Sequence, residues 1–228
     1  MATAPEPTPS AEPASDRAAL RAAYDRYAET YGSTRNAIFD AFRDEVLDWF
    51  ATATRPVGSR VLDLGSGPGR ESVQLRERGL APLAIDFALA MARQCRQRGV
   101  ATAVMDLYHL GLPAEQFAGA WVSFSLLHMP KQDVLGILDA VHRVLVPGGT
   151  IVVLLFEGAG EGPRQQDVRR FGTARYFSYY QPDELRETVG ARFSVTAQWR
   201  LDISPRPTLG VAGRKTTEGQ RWTQHSTN

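Results

Sequence analysis

The chain has a single cysteine, Cys95, among its 228 residues. An internal disulfide is therefore excluded, and so is a metal centre built on several thiolates. Cys95 falls in an amphipathic stretch with no activating motif around it, which reads as a packing role. Histidine is nearly as scarce. His109, His128, His142 and His225 stand at no spacing that pairs them with acidic ligands, so no metal site is expected. No apolar run is long enough to cross a bilayer, and no membrane partner is expected. The first residues lack a basic stretch followed by an apolar one, so a cytoplasmic location is the expectation. Charge of one sign is lacking too. Basic and acidic residues number 26 and 25, which leaves no overall excess for gripping a phosphate backbone, and no nucleic-acid partner is expected.

The chain does have enough apolar residues, 43%, for one real core, and a length that suits one α/β domain with a modest extension. Residues 1–15 are almost entirely Ala, Pro, Thr, Ser and Glu, which cannot bury enough surface to offset ordering, so a disordered tail is expected. Residues 214–228 read as a second polar tail in which Trp222 is a candidate for docking. The domain is expected over 16–213, with 16–52 as an N-terminal helical cap.

Within it, helical and strand patterns alternate. Helices are expected over Asp16 to Tyr31 and around Ile38, Phe42, Val46, Trp49 and Phe50. Five short apolar runs follow, at 60–64, 82–86, 100–105, 120–124 and 150–156, separated by helical or turn segments. Continuous apolar strands between helices imply a parallel sheet covered on both faces. Two last strands, 193–201 and 209–212, are near enough to pair as an antiparallel hairpin at the sheet edge. The fold class is thus α/β, a doubly wound, mostly parallel seven-stranded sheet with a C-terminal hairpin.

The densest chemistry lies at Val61-Leu-Asp-Leu-Gly-Ser-Gly-Pro-Gly69. A strand runs into a turn with glycines at 65, 67 and 69, where the missing Cβ lets backbone approach a ligand. Such a turn, beyond a strand's carboxyl end, is where open α/β sheets bind ligands. Asp86 ends the next strand and suits both hydroxyls of a ribose. A nicotinamide dinucleotide is the competing ligand. Its fingerprint is G-x-G-x-x-G, whereas here the spacing is G-x-G-x-G, Pro68 has no N–H to offer, and Asp63 would set a negative charge near a diphosphate. A ligand carrying an ammonium group has the right sign.

These residues resemble the first motif of class I S-adenosylmethionine (SAM)-dependent methyltransferases, and Asp86 matches their ribose-binding acid. The likeness runs through roughly 20–213. Tyr24 to Tyr31 resembles a segment that folds over SAM in small-molecule members. Met105-Asp106-Leu107 matches the border of the adenine, Ser123 to His128 the segment after strand four, and Val144 to Gly149 the Leu-x-Pro-Gly-Gly before strand five. Arg175 to Leu185 is similar to a bacterial subgroup. Two positions depart from the pattern: Phe117-Ala118 replaces a common Phe-Asp, and Phe156 stands where that subgroup often has Lys.

The resemblance implies SAM as cofactor, held by Tyr24, Tyr31, Asp63, Gly65, Ser66, Gly67, Asp86, Phe87, Met91, Met105, Asp106, Leu107 and Ser123. It implies in-line methyl transfer to a small-molecule acceptor, where holding the nucleophile near the methyl group is the main task. A protein or RNA methyltransferase and a nicotinamide-dependent oxidoreductase are the alternatives. Tyr24, Tyr27, Tyr31 and Phe87 are read either as an aromatic lining for the sulfonium or as core packing. His128 is read either as general base or as a histidine bonded locally. Residues 157–180 are expected to form a substrate-side insert in which Arg175, Tyr176, Tyr179 and Tyr180 contact the acceptor. With Arg164, Arg169 and Arg170, that insert suits a carboxylate or phosphate beside an aromatic or apolar body; a solvated basic loop over packed aromatics is the alternative. Oligomeric state is left open.

Overall fold

The computed structural model describes residues 13–31, 37–203 and 206–216, with side chains from Arg17 onward. Two helices come first, α1 (Pro13–Tyr27) and α2 (Ala37–Thr54). The sheet core then alternates: β1 (Arg60–Leu64), α3 (Arg70–Glu77), β2 (Ala81–Asp86), α4 (Leu89–Gln97), β3 (Ala101–Val104), β4 (Phe117–Ser123), α5 (Lys131–Val144) and β5 (Leu145–Phe156). A small pair of strands, β6 (Glu161–Arg164) and β7 (Arg175–Ser178), brackets the single-turn α6 (Val168–Phe171). The chain closes with α7 (Pro182–Gly190), β8 (Ser194–Leu201) and β9 (Thr208–Arg214).

The main sheet has the order β3-β2-β1-β4-β5-β9-β8, parallel from β3 to β5 and antiparallel thereafter. The strand order reverses its direction of travel between β1 and β4, which opens a crevice at their carboxyl ends. Alternation along the strands sorts side chains to two faces. Val61, Trp121, Val152 and Leu154 pack on Val46, Leu47 and Phe50 of α2 and Leu75 of α3. Leu62, Leu64, Val122 and Val153 pack on Val134, Ile137, Leu138 and Val141 of α5. Every one of these side chains is at most 3% exposed, and each contributes about 1.5–3 kcal/mol by leaving water.

Three expectations are corrected. The first helix begins at Pro13 and ends at Tyr27, so residues 13–15 are not tail; residues 1–12 and Trp222 lie outside the described set. The C-terminal pair forms the antiparallel hairpin expected at the sheet edge. β9 sits inside the sheet between β5 and β8, and its near-continuous burial reflects neighbours on both sides. Only β8, which is the edge, alternates in exposure. The ordered chain does not stop at 213: β9 runs through Arg214, and Lys215 is buried with its ammonium donating to the Leu145 carbonyl at 2.8 Å. Pro147-Gly148-Gly149 does not precede β5 but forms an irregularity within it. The pairing with β4 shifts from Phe117↔Leu145 to Gly119↔Thr150. Among the described residues no helix is long and apolar enough to cross a membrane.

Candidate active site

The glycine turn is built by its neighbours. Gly65 has φ +74°, and a Cβ there would collide with Ser125, whose hydroxyl donates to the Leu64 carbonyl at 2.8 Å. Gly69 has φ +82° and lies against Cys95 of α4 with no room for a side chain. Cys95 is thus buried packing between α4 and the turn. The Gly65 and Ser66 amides both donate to the Ile85 carbonyl, at 2.8 and 3.0 Å, which ties the turn to the end of β2.

Asp86 completes that tie. One carboxylate oxygen accepts the Gly67 amide and the other the Ala88 amide, each at 2.8 Å. Burial pushes its pKa up to about 6, against the pull of those two amides. Each oxygen keeps acceptor capacity toward the crevice it lines.

That crevice is partly enclosed and opens to solvent at its mouth. One end is lined by Gly65, Gly67, Ser123 and Ser125, the other by Phe87, Met91, Met105, Asp106 and Leu107. α1 forms its roof through Arg17, Leu20 and Tyr24. Polar ties hold α1 and the turn after it down. Arg17 pairs with Asp106 and lies 4.1 Å above the Tyr108 ring; Asp25 accepts the Ala90 amide at 2.7 Å; Gln94 donates to the Ala28 carbonyl at 2.8 Å.

A second cavity opens beside the first, and Tyr24, Tyr31, Phe124 and His128 line both. Phe124 holds a left-handed backbone, φ +54°, at the end of β4, and packs 4.7 Å from Phe156. Strain of this kind persists only where the surroundings enforce it. Tyr24 donates to Nε2 of His128 at 2.6 Å and accepts from Arg175 at 3.0 Å. Nδ1 of His128 faces the Tyr176 carbonyl at 2.8 Å, so that nitrogen carries the proton and Nε2 the lone pair. Burial holds His128 down at about 3 and pushes Tyr24 up to about 12, so the shared proton stays on the phenol.

Residues 61–149 match a family model described as a methyltransferase domain. A demethylmenaquinone methyltransferase of Mycobacterium sp. (strain KMS) is 35% identical over 99 residues, 43% of this chain and 42% of that protein. A tRNA 5-carboxymethoxyuridine methyltransferase of Escherichia coli (strain K12) is 26% identical over 137 residues, 57% of this chain and 52% of that protein. The chain thus spans about half or less of these relatives' length. Among solved structures, the Burkholderia thailandensis 1,6-didemethyltoxoflavin-N1-methyltransferase, with its substrate and S-adenosylhomocysteine (SAH) bound, superposes with TM-score 0.68 at 23% identity. That likeness covers 94% of this chain and 95% of that one. Over residues 61–149 the chain is thus similar to SAM-dependent methyltransferases, and it has their fold.

SAM is the cofactor of this family, and the crevice fits it. Asp86 offers acceptors for a ribose, Gly67 leaves backbone open where a side chain would intrude, and Phe87, Met91, Met105 and Leu107 give an apolar slot for a flat base. Tyr24 stands 6.1 Å from Tyr31 and 6.3 Å from Phe87, an aromatic group at the junction of the two cavities.

Two expected contacts face elsewhere. Asp63 shares the sheet face of Val61 and points at α3, where Ser72 donates to it; it does not line the crevice. Burial raises its pKa to about 8. Ser66 turns its hydroxyl inward toward Cys95 and is 5% exposed. Both follow from alternation, because the residues that reach the crevice are those whose backbone or side chain leaves the strand end.

The insert at 157–180 is ordered rather than a solvated loop, with β6 and β7 paired from Glu161↔Ser178 to Arg164↔Arg175. Of the four acceptor contacts expected there, Arg175 lines the second cavity. Tyr180 does not: it is 1% exposed, inside the core. Tyr176 lies one residue out of phase with the cavity-facing Arg175 and Phe177, and Tyr179 stands behind the wall under Arg206. Tyr27 packs on Phe171 at 4.7 Å and lines neither cavity. Sequence reasoning misses Arg17, Phe124, Ser125 and Arg206. Each acts through partners at least 27 residues away, and only the SFS triplet at 123–125 marks any of them.

Proposed function

We propose that this chain transfers a methyl group from SAM to a small-molecule acceptor. The observation that carries this reading is the pair of cavities meeting at Tyr24, Tyr31, Phe124 and His128, one suited to the cofactor and the other walled by aromatic rings and arginines. When bound, SAM supplies an electrophilic methyl group on a sulfonium. The protein's own work is to align and to exclude water. Asp86 and the Gly65–Gly67 turn hold one partner, while Phe124, Phe156 and Phe177 floor the space for the other. Tyr24 and Tyr31 offer ring faces to positive charge, at about 0.5–2 kcal/mol each.

His128 takes a positioning role in this reading. Its lone pair is already engaged by Tyr24, and burial keeps it neutral across the physiological range. The Tyr24–His128–Tyr176 chain therefore fixes the phenol at the cavity junction. The acceptor's nucleophilic atom arrives without a proton that the protein must remove.

Calorimetry with SAM and SAH, followed by incubation of protein and SAM with a metabolite panel, tests this. A micromolar affinity and a 14-dalton gain in one small molecule are expected. The tRNA-modifying relative makes bulk tRNA the control arm: methyl incorporation into tRNA, with none into metabolites, overturns the small-molecule reading. No heat from either SAM or SAH overturns methyl transfer itself.

A further inference from the structure

The second cavity has an unbalanced charge. Arg164, Arg175 and Arg206 line it, and among the described residues no carboxylate does. Asp167 stands behind, 2.8 Å from Arg175 and 3.9 Å from Arg164, so its charge is spent mainly on Arg175. Arg175 is further committed to the Tyr24 hydroxyl. Glu157, at the end of β5, is taken by Arg200 at 2.6 Å. Arg164 and Arg206 are left as the guanidiniums with charge to offer.

Both are held flat. Arg164 lies 4.6 Å above the Phe177 ring, and Arg206 lies 4.6 Å above the Tyr179 ring. Those two rings are themselves stacked, 6.0 Å apart and 21° from parallel. A guanidinium resting on a ring has its plane fixed and its N–H edge free to meet a planar anion. The cavity-lining Arg164 also has a buried Nε with no hydrogen-bond partner among the described residues. Such a donor calls for a partner, since an unmet buried donor is costly.

We infer that Arg164 and Arg206 form an anion clamp that seats a carboxylate of the methyl acceptor, with the acceptor's apolar body on Phe124 and Phe156. The inference rests on the methyltransferase reading for its ligand and adds the ligand's class. A carboxylate matches a pair of flat, ring-backed guanidiniums better than a tetrahedral phosphate, because fork-to-fork pairing is planar. It also agrees with a site whose histidine lone pair is occupied, since a carboxylic acid is ionised before it binds.

The test uses the full chain saturated with SAH, so that cofactor binding is measured first and separately. Benzoate, naphthalene-2-carboxylate and decanoate are then titrated by calorimetry, each against its primary amide and against phenyl phosphate. At least one acid is expected to bind about tenfold or more tightly than its amide, the loss that follows when a charge-assisted bond is removed. Arg164→Gln and Arg206→Gln should each abolish most of that preference while SAH affinity stays within about twofold, a control for folding; Arg206→Lys should keep part of it. Equal binding of acids and amides, no binding of any acid to SAH-loaded protein, or tighter binding of the phosphate overturns the clamp. Failure of SAH to bind overturns the methyltransferase reading instead.

Discussion

The two halves of the site are made in opposite ways. The cofactor side is acidic and local: Asp86, the glycine turn and the adenine-side residues come from the ends of β1, β2 and β3 and from the turns just after them, and backbone amides tie them together. The acceptor side is basic, aromatic and assembled from afar. Tyr24 comes from α1, Phe124 from the end of β4, Arg164 and Arg175 from the β6–β7 pair, and Arg206 from the approach to β9. A backbone-built site tolerates little change, because the chain itself is the ligand's surface. A side-chain-built site is adjustable, which is how one fold serves many acceptors.

Four measurements press on this contrast. Gly65→Ala should do the most harm, because it forces a side chain into a left-handed position and against Ser125. A loss of about 3 kcal/mol in urea unfolding is expected, and Gly65→Ala with Ser125→Gly should recover part of it. Asp86→Ala comes next. SAH affinity should fall about 100-fold, near 2.7 kcal/mol, since both the ribose acceptor and the tie to Gly67 are lost; affinity within threefold of wild type would contradict the assignment. Arg175→Ala bridges the two halves. It frees Tyr24 and unpairs Asp167, so SAH affinity and acceptor KM should both worsen, by roughly three- to tenfold, whereas Arg206→Gln should touch the acceptor alone.

The last effect is in pH. Asp63 and Asp86 both have native pKa values raised above the usual 3.8, to about 8 and about 6. The native state therefore holds more protons than the unfolded chain between pH 4 and those values. Their contribution to stability is full below about pH 4 and is lost as pH rises, through 6 for Asp86 and through 8 for Asp63. Between pH 6.5 and 8, Asp63 dominates, at up to about 1.4 kcal/mol per pH unit. Urea titrations at pH 6.5, 7.2 and 8 should show this slope in the wild type and a flatter one in Asp63→Asn. Equal slopes would mean that Asp63 is ionised in the native protein. His128 has the opposite sign: with its pKa lowered, stability rises with pH from about 3 to 6.5 and is level above that, so it adds no slope in the 6.5–8 window where Asp63 acts.

Much of the cofactor side is legible in the residue order alone. Motif and spacing group Gly65, Gly67, Asp86, Phe87, Met91 and Met105 around one ligand, and these residues line one crevice. The errors there are instructive. Asp63 sits in the most informative motif, yet a strand alternates its side chains, and the face Asp63 shares with Val61 looks at α3. The insert shows the same limit. Its arginines and tyrosines announce an unusual surface, but whether Tyr180 or Arg206 reaches the second cavity depends on strand phase and on a segment near β9 that no local pattern connects to it.

Short-range chemistry along the chain is enough to specify the strand–turn–helix unit, the sign of its ligand and the alternating α/β order, because these depend on φ angles, apolar periodicity and charge within some 30 residues. Where β9 enters the sheet, which face Asp63 takes, and which guanidiniums Asp167 neutralises are settled only by folding. Those outcomes turn on distances between segments far apart in sequence, and such distances exist only once the sheet has brought the segments together.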